Sequence, residues 1–198
     1  MVIIITLPDF FDDEASTVNR MFRLGLQRLH LRKPHCTAQE LEHLIGEIDP
    51  QYHSRLVLHD HHHLATKYRL GGIHLNSRNP VPPQGFEGTI SCSCHSLDEL
   101  KTNPYHCTYR TISPIFDSIS KQGYNAAFSD EQLRDAHSLG IINKEIYALG
   151  GVALDNIAQV AHYGFGGVLL LGQPWQKAAT TDFDHYMTQL ISADQLFI

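Results

Sequence analysis

Short apolar runs alternate with amphipathic segments from one end of this 198-residue chain to the other. Several of the runs are rich in Val and Ile and are bounded by polar residues, Gly or Pro, as buried strands usually are. We predict strands at Val2–Thr6, Arg28–Leu31, Arg55–Leu58, Gly72–Leu75, Thr89–Ser93, Cys107–Ile112, Ile146–Leu149 and Gly167–Leu171.

The segments between the predicted strands carry helix start signals. Thr37–Glu40 and Ser129–Gln132 both fit capping boxes. Strands that alternate with helices pair in parallel, so eight such units predict one α/β domain over residues 1–198, a single (β/α)8 TIM barrel with short loops. A doubly wound open sheet is the alternative. The segment 76–88 is rich in Pro and Gly and predicts no helix after the fourth strand.

The composition disfavours several classes of partner. A net charge of −6 argues against nucleic-acid binding, which needs a basic surface. No apolar run approaches the roughly 18 residues that a membrane helix needs, and the run in Met1–Asp9 ends too early for a signal peptide. Four cysteines are too few for a disulfide framework, and they predict small buried side chains in a cytoplasmic protein: Cys36, Cys92, Cys94 and Cys107.

Polar side chains and glycines follow the predicted strands at their carboxyl ends, where a (β/α)8 barrel carries its active site. His30 and Arg32 share one strand face, as do Ser93 and His95, so each pair is expected to point into one mouth. The other residues at these ends are His59, Asp60, His74, Asn76, Gly150, Gly151 and Gly172.

Two glycine turns predict a phosphate site. Gly150-Gly151 ends the seventh strand, and Gly172 ends the eighth. Exposed amides on such turns attract anions, and barrels often hold phosphate after strands seven and eight. The loop Ser113–Lys121 either closes over an anionic substrate, with its lysine as a point charge, or is an ordinary solvated loop.

Two further positions admit different interpretations. His95 could move protons near neutral pH, or its ring could bond the start of the following helix. Asp60 suits Mg²⁺ because this ion prefers carboxylate oxygens. Zinc binding by the consecutive histidines of segment 61–63 is disfavoured, because their rings would fan apart at a helix start.

Six segments stand in the order of the motifs of a known family: Leu29-His30-Leu31-Arg32, Leu58-His59-Asp60, Gly72-Ile73-His74-Leu75, Ser93 to Glu99, Ser113 to Lys121, and Gly150-Gly151-Val152. Together they resemble the thiamine-phosphate synthase/TenI family, from the first strand to about Gly172. Synthases of this family join hydroxymethylpyrimidine diphosphate to a thiazole phosphate, and the pyrophosphate leaves bound to Mg²⁺.

The resemblance implies a role for each site position. The implied catalytic residues are Arg32, His95 and Lys121. The implied substrate-binding residues are His30, Arg32, His59, Ser93, Ser118, Ser120, Lys121, Gly151 and Gly172. The implied Mg²⁺ ligands are Asp60 and Asn79. The implied partners are the phosphorylated thiazole and pyrimidine, and the family also suggests a homodimer.

The chain departs from the synthase pattern at several positions. His30 stands in place of a glutamine, Pro34 in place of a lysine, and Asn79 in place of a carboxylate, which should weaken Mg²⁺ binding. His30 instead resembles the TenI branch, which isomerises a thiazole carboxylate phosphate and uses the histidine matching His95 as the proposed acid and base. Arg32, Asp60, Ser93 and Lys121 match the synthase pattern, so the chain is predicted to be a synthase. A TenI-like tautomerase and a non-catalytic thiazole or thiamine phosphate-binding barrel are the alternatives.

Overall fold

The computed structural model describes residues 1–102, 104–117 and 126–198. Within these residues, eight parallel strands pair in chain order and the last pairs with the first, so the barrel predicted from the sequence is confirmed. The strands are β1 (Val2–Ile5), β2 (Leu29–Leu31), β3 (Leu56–Leu58), β4 (Gly72–Leu75), β5 (Thr89–Cys94), β6 (Tyr109–Ile112), β7 (Ile146–Leu149) and β8 (Gly167–Leu170).

A helix follows every strand except β4, which leads through the Pro-rich segment 76–88 directly into β5, as predicted. The predicted capping boxes at Thr37 and Ser129 are both present. No described helix is long and apolar enough to cross a membrane. The described helices are α1 (Glu14–Arg23), α2 (Ala38–Glu47), α3 (His63–Lys67), α4 (Leu97–Thr102), α5 (Asp130–Ser138), α6 (Ile157–His162), α7 (Gly172–Ala178) and α8 (Phe183–Ser192), with short 3-10 helices at Pro50–Arg55 and Ala193–Phe197.

Alternate side chains of each strand point into the barrel, and they divide its interior into an apolar and a polar half. Ile3, Ile5 and Leu169 form a small apolar cluster with Tyr109. The Tyr109 hydroxyl lies 2.6 Å from His30 Nε2, although β2 and β6 do not pair, so this contact crosses the interior. Because branched apolar side chains usually fill a TIM barrel, the polar half indicates where chemistry could take place.

The outward faces of the strands pack against the helices and form the larger hydrophobic core. Cys92, Cys94 and Cys107 are buried in this layer, as predicted, whereas Cys36 is only half-buried.

Lys33 and Glu14 form a buried ion pair just after β2. Lys33 Nζ lies 2.7 Å from both Glu14 carboxylate oxygens, and it donates to the carbonyl groups of Leu7 and Asp9 at 3.0 and 2.8 Å. Burial lowers the pKa of Lys33 and raises that of Glu14, while each charge opposes the shift of the other. The pair fastens the first loop and α1 to the end of β2, so this lysine does not project toward the barrel mouth.

Glu14→Gln should lower the free energy of unfolding by about 3–5 kcal/mol, because it leaves Lys33 as an uncompensated buried charge. Asp184→Asn is the matched control. It breaks the exposed Arg20–Asp184 pair, whose atoms lie 2.8 Å apart, and should cost less than about 1 kcal/mol. Urea unfolding followed by circular dichroism measures both losses, and similar losses would contradict the special role of the buried pair.

Candidate active site at the barrel mouth

His30 lies inside the barrel and not at its mouth. It is fully buried, with Nδ1 2.8 Å from His59 Nε2 and Nε2 2.6 Å from the Tyr109 hydroxyl. The prediction that His30 contacts substrate does not fit this position. It occupies the middle of β2, one pleat deeper than Arg32, and both of its ring nitrogens already have protein partners.

His59 and His74 extend this interior network toward the mouth. Their rings stack with centroids 4.2 Å apart. The two nitrogens of His74 lie 2.8 Å from the hydroxyls of Ser91 and Ser93. Ser93 is half-buried near the end of β5, so the predicted pyrophosphate contact would involve a hydroxyl that already bonds a histidine.

Burial keeps this histidine network uncharged. It lowers the pKa of His30 and of His59 well below the usual value, and it lowers the pKa of His74 to about 3. Charge on the neighbouring rings and arginines adds to each shift. Neutral imidazole rings in this interior can each accept a hydrogen bond or bind a cation through one nitrogen.

Asp60 and Asn79 come together as predicted, but in an arrangement that does not suit Mg²⁺. Arg78 donates from Nε and Nη2 to the two Asp60 oxygens at 3.0 and 3.2 Å, and Asn79 Nδ2 donates to one of them at 3.0 Å. The amide group directed at Asp60 is therefore a donor and not a metal ligand. One carboxylate, already neutralised by a guanidinium, is a poor donor set for Mg²⁺.

Arg78 is a site residue that the sequence analysis missed. It lies in the loop after β4, which carries no strand or helix periodicity. The signal that could have found it is its place beside Asn79, since a cation next to a predicted metal ligand competes with the metal for the same carboxylate.

Arg32 is half-buried at the end of β2. Its amide donates to Thr6 Oγ1 at 2.8 Å, which holds the backbone, whereas its guanidinium has no hydrogen bond or ion pair with the part of the chain that the structure describes. Burial lowers the pKa of Arg32, the nearby Arg78 lowers it further, and Asp60 opposes the change. An arginine stays charged at neutral pH, so this side chain offers unused donors at the mouth.

His95 presents an exposed ring directly after β5. Its backbone amide donates to Glu99 Oε2 at 2.7 Å, and the Glu99 amide donates to Ser96 Oγ at 3.1 Å, so these groups and not the ring serve the start of α4. His95 Nδ1 lies 3.5 Å from Ser113 Oγ, a long contact at the end of β6. The ring is therefore accessible to a ligand in the mouth, and its catalytic role stays a prediction.

The Gly150-Gly151 turn is a tight corner that only glycine fits. Both residues have positive φ, +92° and +67°. A Cβ on Gly151 would lie 2.5 Å from the Asp117 carbonyl oxygen, and one on Gly150 would lie 2.7 Å from Pro114 Cα. The loop after β6 is thus packed directly over this corner, and the Phe116 amide donates to the Gly150 carbonyl at 3.0 Å.

Side-chain contacts link the two glycine turns of the phosphate prediction. The Leu154 amide donates to Gln173 Oε1 at 2.9 Å, which links the turn after β7 to the start of α7, and the Tyr186 hydroxyl of α8 donates to the same oxygen at 3.1 Å. Among the described residues, the amides of Gly151 and Gly172 have no acceptor. Phosphate binding by these amides stays a prediction.

The predicted roles of Ser118, Ser120 and Lys121 concern residues outside those that the structure describes. Those three predictions stand as they are.

The comparisons with known proteins agree with this geometry. A family model described as thiamine monophosphate synthase matches residues 2–173. The thiamine-phosphate synthase of Actinobacillus succinogenes is 28% identical over 128 residues, which are 61% of this chain and 58% of that relative. The enzyme of the same name from Photorhabdus laumondii subsp. laumondii is 24% identical over 185 residues, 84% of this chain and 83% of that relative.

A solved structure shares the whole fold. The thiamine phosphate pyrophosphorylase from Bacteroides thetaiotaomicron is 36% identical, covers 98% of both chains and superposes with a TM-score of 0.86. These matches confirm the resemblance and the synthase-type transferase class predicted from the sequence. Because the family model spans most of the chain, this protein belongs to the thiamine monophosphate synthase family.

Proposed function

We propose that this protein joins hydroxymethylpyrimidine diphosphate to thiazole phosphate, releasing pyrophosphate, and that it does so without bound Mg²⁺. The main support is that two anion-binding groups surround one barrel mouth. Arg32 and Arg78 lie at the carboxyl ends of β2 to β4, and the amides of Gly151 and Gly172 lie at those of β7 and β8. The reaction needs one site for a diphosphate and one for a monophosphate.

The reaction separates charge when the bond between the pyrimidine methylene carbon and a pyrophosphate oxygen breaks. The electron pair leaves with pyrophosphate, and the lone pair of the thiazole nitrogen then forms the carbon–nitrogen bond. Cations fixed beside the leaving group stabilise this developing charge more than they stabilise the bound substrate. The Arg32 guanidinium, which has no partner among residues 1–102, 104–117 and 126–198, supplies hydrogen-bond donors, and Arg78 supplies a second positive charge next to it.

The same rate with and without Mg²⁺ is expected, because Arg78 already neutralises the carboxylate that would hold the ion. The measurement is thiamine phosphate formation from both substrates in excess EDTA and in millimolar Mg²⁺. If EDTA abolishes turnover and added Mg²⁺ restores it while added Zn²⁺ does not, the proposal of a Mg²⁺-independent reaction is wrong. If neither condition gives turnover, the synthase proposal itself is wrong.

Arg78→Ala should lower the EDTA rate by about 10²-fold, which is typical for loss of one preorganised transition-state donor. The same change frees Asp60, so Mn²⁺ binding, followed by electron paramagnetic resonance, should strengthen, and added Mg²⁺ should restore part of the rate. The control is Arg134→Ala, which breaks an exposed arginine–carboxylate pair with Asp130 and should change neither reading. An unchanged rate in the Arg78 variant would contradict its role.

Gly151→Ala should raise the KM for thiazole phosphate at least tenfold, because a Cβ there displaces the backbone that is proposed to bind the phosphate. Gly140→Ala is the matched control. Gly140 also has positive φ, +71°, but a Cβ would meet no atom within 4 Å, and the residue follows α5 instead of a strand. Steady-state kinetics measure both variants. If they have equal KM values for thiazole phosphate, the proposal that the phosphate binds at this corner is wrong.

Isomerisation of a thiazole carboxylate phosphate is the second candidate, and two observations favour it. Lys33 is held by Glu14, so it adds no cation for pyrophosphate, and the exposed His95 ring is placed to move a proton. This reaction releases no diphosphate and requires only that a proton leave one ring position and be returned to another.

For this candidate, His95→Asn should slow isomerisation by at least about 10²-fold, a usual contribution of a general acid or base. The control is His43→Asn on the exposed face of α2. Full activity of the His95 variant would exclude the histidine mechanism. If the protein binds thiazole phosphate or thiazole carboxylate phosphate but shows no turnover in either assay, it is the non-catalytic phosphate-binding barrel instead.

A further inference from the structure

Three imidazole rings meet in the polar half of the barrel interior. His30 comes from β2, His59 from the residue after β3, and His74 from β4. One ring nitrogen from each lies within 4.8 Å of one from each of the others, and no carboxylate belongs to the group. Three neighbouring strands therefore bring three imidazole nitrogens close to one another.

The contact between His30 and His59 requires a proton between the rings. His30 Nδ1 and His59 Nε2 are 2.8 Å apart. Two nitrogen lone pairs repel at that distance, so in the metal-free protein one ring must carry a proton directed at the other. A metal ion can replace this shared proton.

The hydrogen-bond partners of the other two nitrogens orient their rings for such an ion. The Ser91 hydroxyl donates to the Ile73 carbonyl at 3.4 Å, which leaves its lone pairs to accept the N–H of His74 Nδ1. His74 Nε2 then holds a lone pair. On His30, the Tyr109 hydroxyl oxygen can accept the N–H of Nε2, which leaves the lone pair of Nδ1 for a metal. Such outer partners normally fix the tautomer of metal-binding histidines.

We propose that His30, His59 and His74 form a binding site for one Zn²⁺ ion. Neutral imidazole suits borderline transition metals, whereas Mg²⁺ prefers oxygen. Three protein nitrogens leave a fourth position, and Ser93, whose hydroxyl is 2.8 Å from His74 Nε2, places that position on the side of the mouth. The site is separate from Asp60, and the inference does not depend on which reaction the protein catalyses.

Two properties of the group agree with zinc binding. Burial lowers the pKa of all three histidines, so each is neutral near pH 7 without a metal. A tetrahedral Zn²⁺ with Zn–N bonds of about 2.0–2.1 Å holds its nitrogens about 3.3 Å apart. The His30–His59 contact of 2.8 Å therefore has to open by about half an ångström, and the His74 nitrogen, which lies within 4.8 Å of the other two, has to reach the same separation.

No net proton is released when the ion enters this neutral site. In the metal-free protein His30 Nε2 carries the N–H that the Tyr109 hydroxyl oxygen accepts, so the proton between the two rings belongs to His59 Nε2. When the ion enters, this proton moves to His59 Nδ1, which does not bind the metal.

The test is a titration of tag-free protein, stripped with a chelator and then freed of it, with ZnCl₂ by calorimetry at pH 7.5. We expect one tight Zn²⁺ per chain and a Co²⁺-loaded form with the visible absorption bands of tetrahedral cobalt. The chain has 14 histidines, so weak surface binding has to be separated by variants.

His59→Asn should weaken Zn²⁺ binding at least a hundredfold and abolish the cobalt bands. His63→Asn is the control, because this exposed histidine lies four positions away and outside the group. Tyr109→Phe keeps the ring packing and should weaken binding by about 10–100-fold, the usual effect of removing an outer partner. It provides the decisive variant if circular dichroism shows that His59→Asn does not fold. The proposal is overturned if the wild type binds no stoichiometric Zn²⁺, or if binding survives unchanged in the folded variants.

Discussion

The hydrogen bonds that cross the barrel interior join strands that do not pair with each other. Tyr109 on β6 bonds His30 on β2, and His30 bonds His59 after β3. A buried polar group without a partner costs free energy comparable to a lost hydrogen bond, so this interior is stable only because each imidazole is satisfied. Polar atoms in fixed positions therefore lie beneath the mouth, where an ordinary barrel is filled by apolar side chains. At the mouth, Ser93 bonds directly to this layer through His74.

One carboxylate and two guanidinium groups determine the charge on one side of the mouth. Asp60 holds Arg78 in a two-point contact, and Arg32 beside them has no ion pair with any described residue, so these three side chains together carry a net positive charge. Fixed side-chain cations need no reorganisation when an anion arrives, whereas a free ion must first shed water. Across the mouth, the glycine turns add backbone amides and no net charge. The two sides therefore differ in kind, which suits two anions of different charge.

The strands and the closed barrel were predictable because short apolar runs rich in Val and Ile, bounded by polar residues, Gly or Pro, recur along the sequence. How close each strand side chain lies to the barrel mouth could not be predicted from the sequence. His30 and Arg32 share a face, yet only Arg32 reaches the mouth, since β2 is just three residues long and its register sets which pleat is last. The Asp60–Arg78 contact joins residues that are 18 positions apart, and Arg78 lies in a loop without periodicity, so no local sequence pattern predicts the contact. Helix α7 was missed because Gly172 was interpreted as a glycine turn, although it is the first residue of this helix.

The contacts of Gln173 constrain how the sequence of this barrel can evolve. Its side-chain oxygen is shared by the Leu154 amide and the Tyr186 hydroxyl, so a terminal helix with no loop at the mouth still holds one wall of the glycine corner. Sequence drift in α8 is therefore constrained by a backbone position more than thirty residues upstream. A substitution at Gln173 or Tyr186 can therefore alter the shape of the glycine corner without changing either glycine.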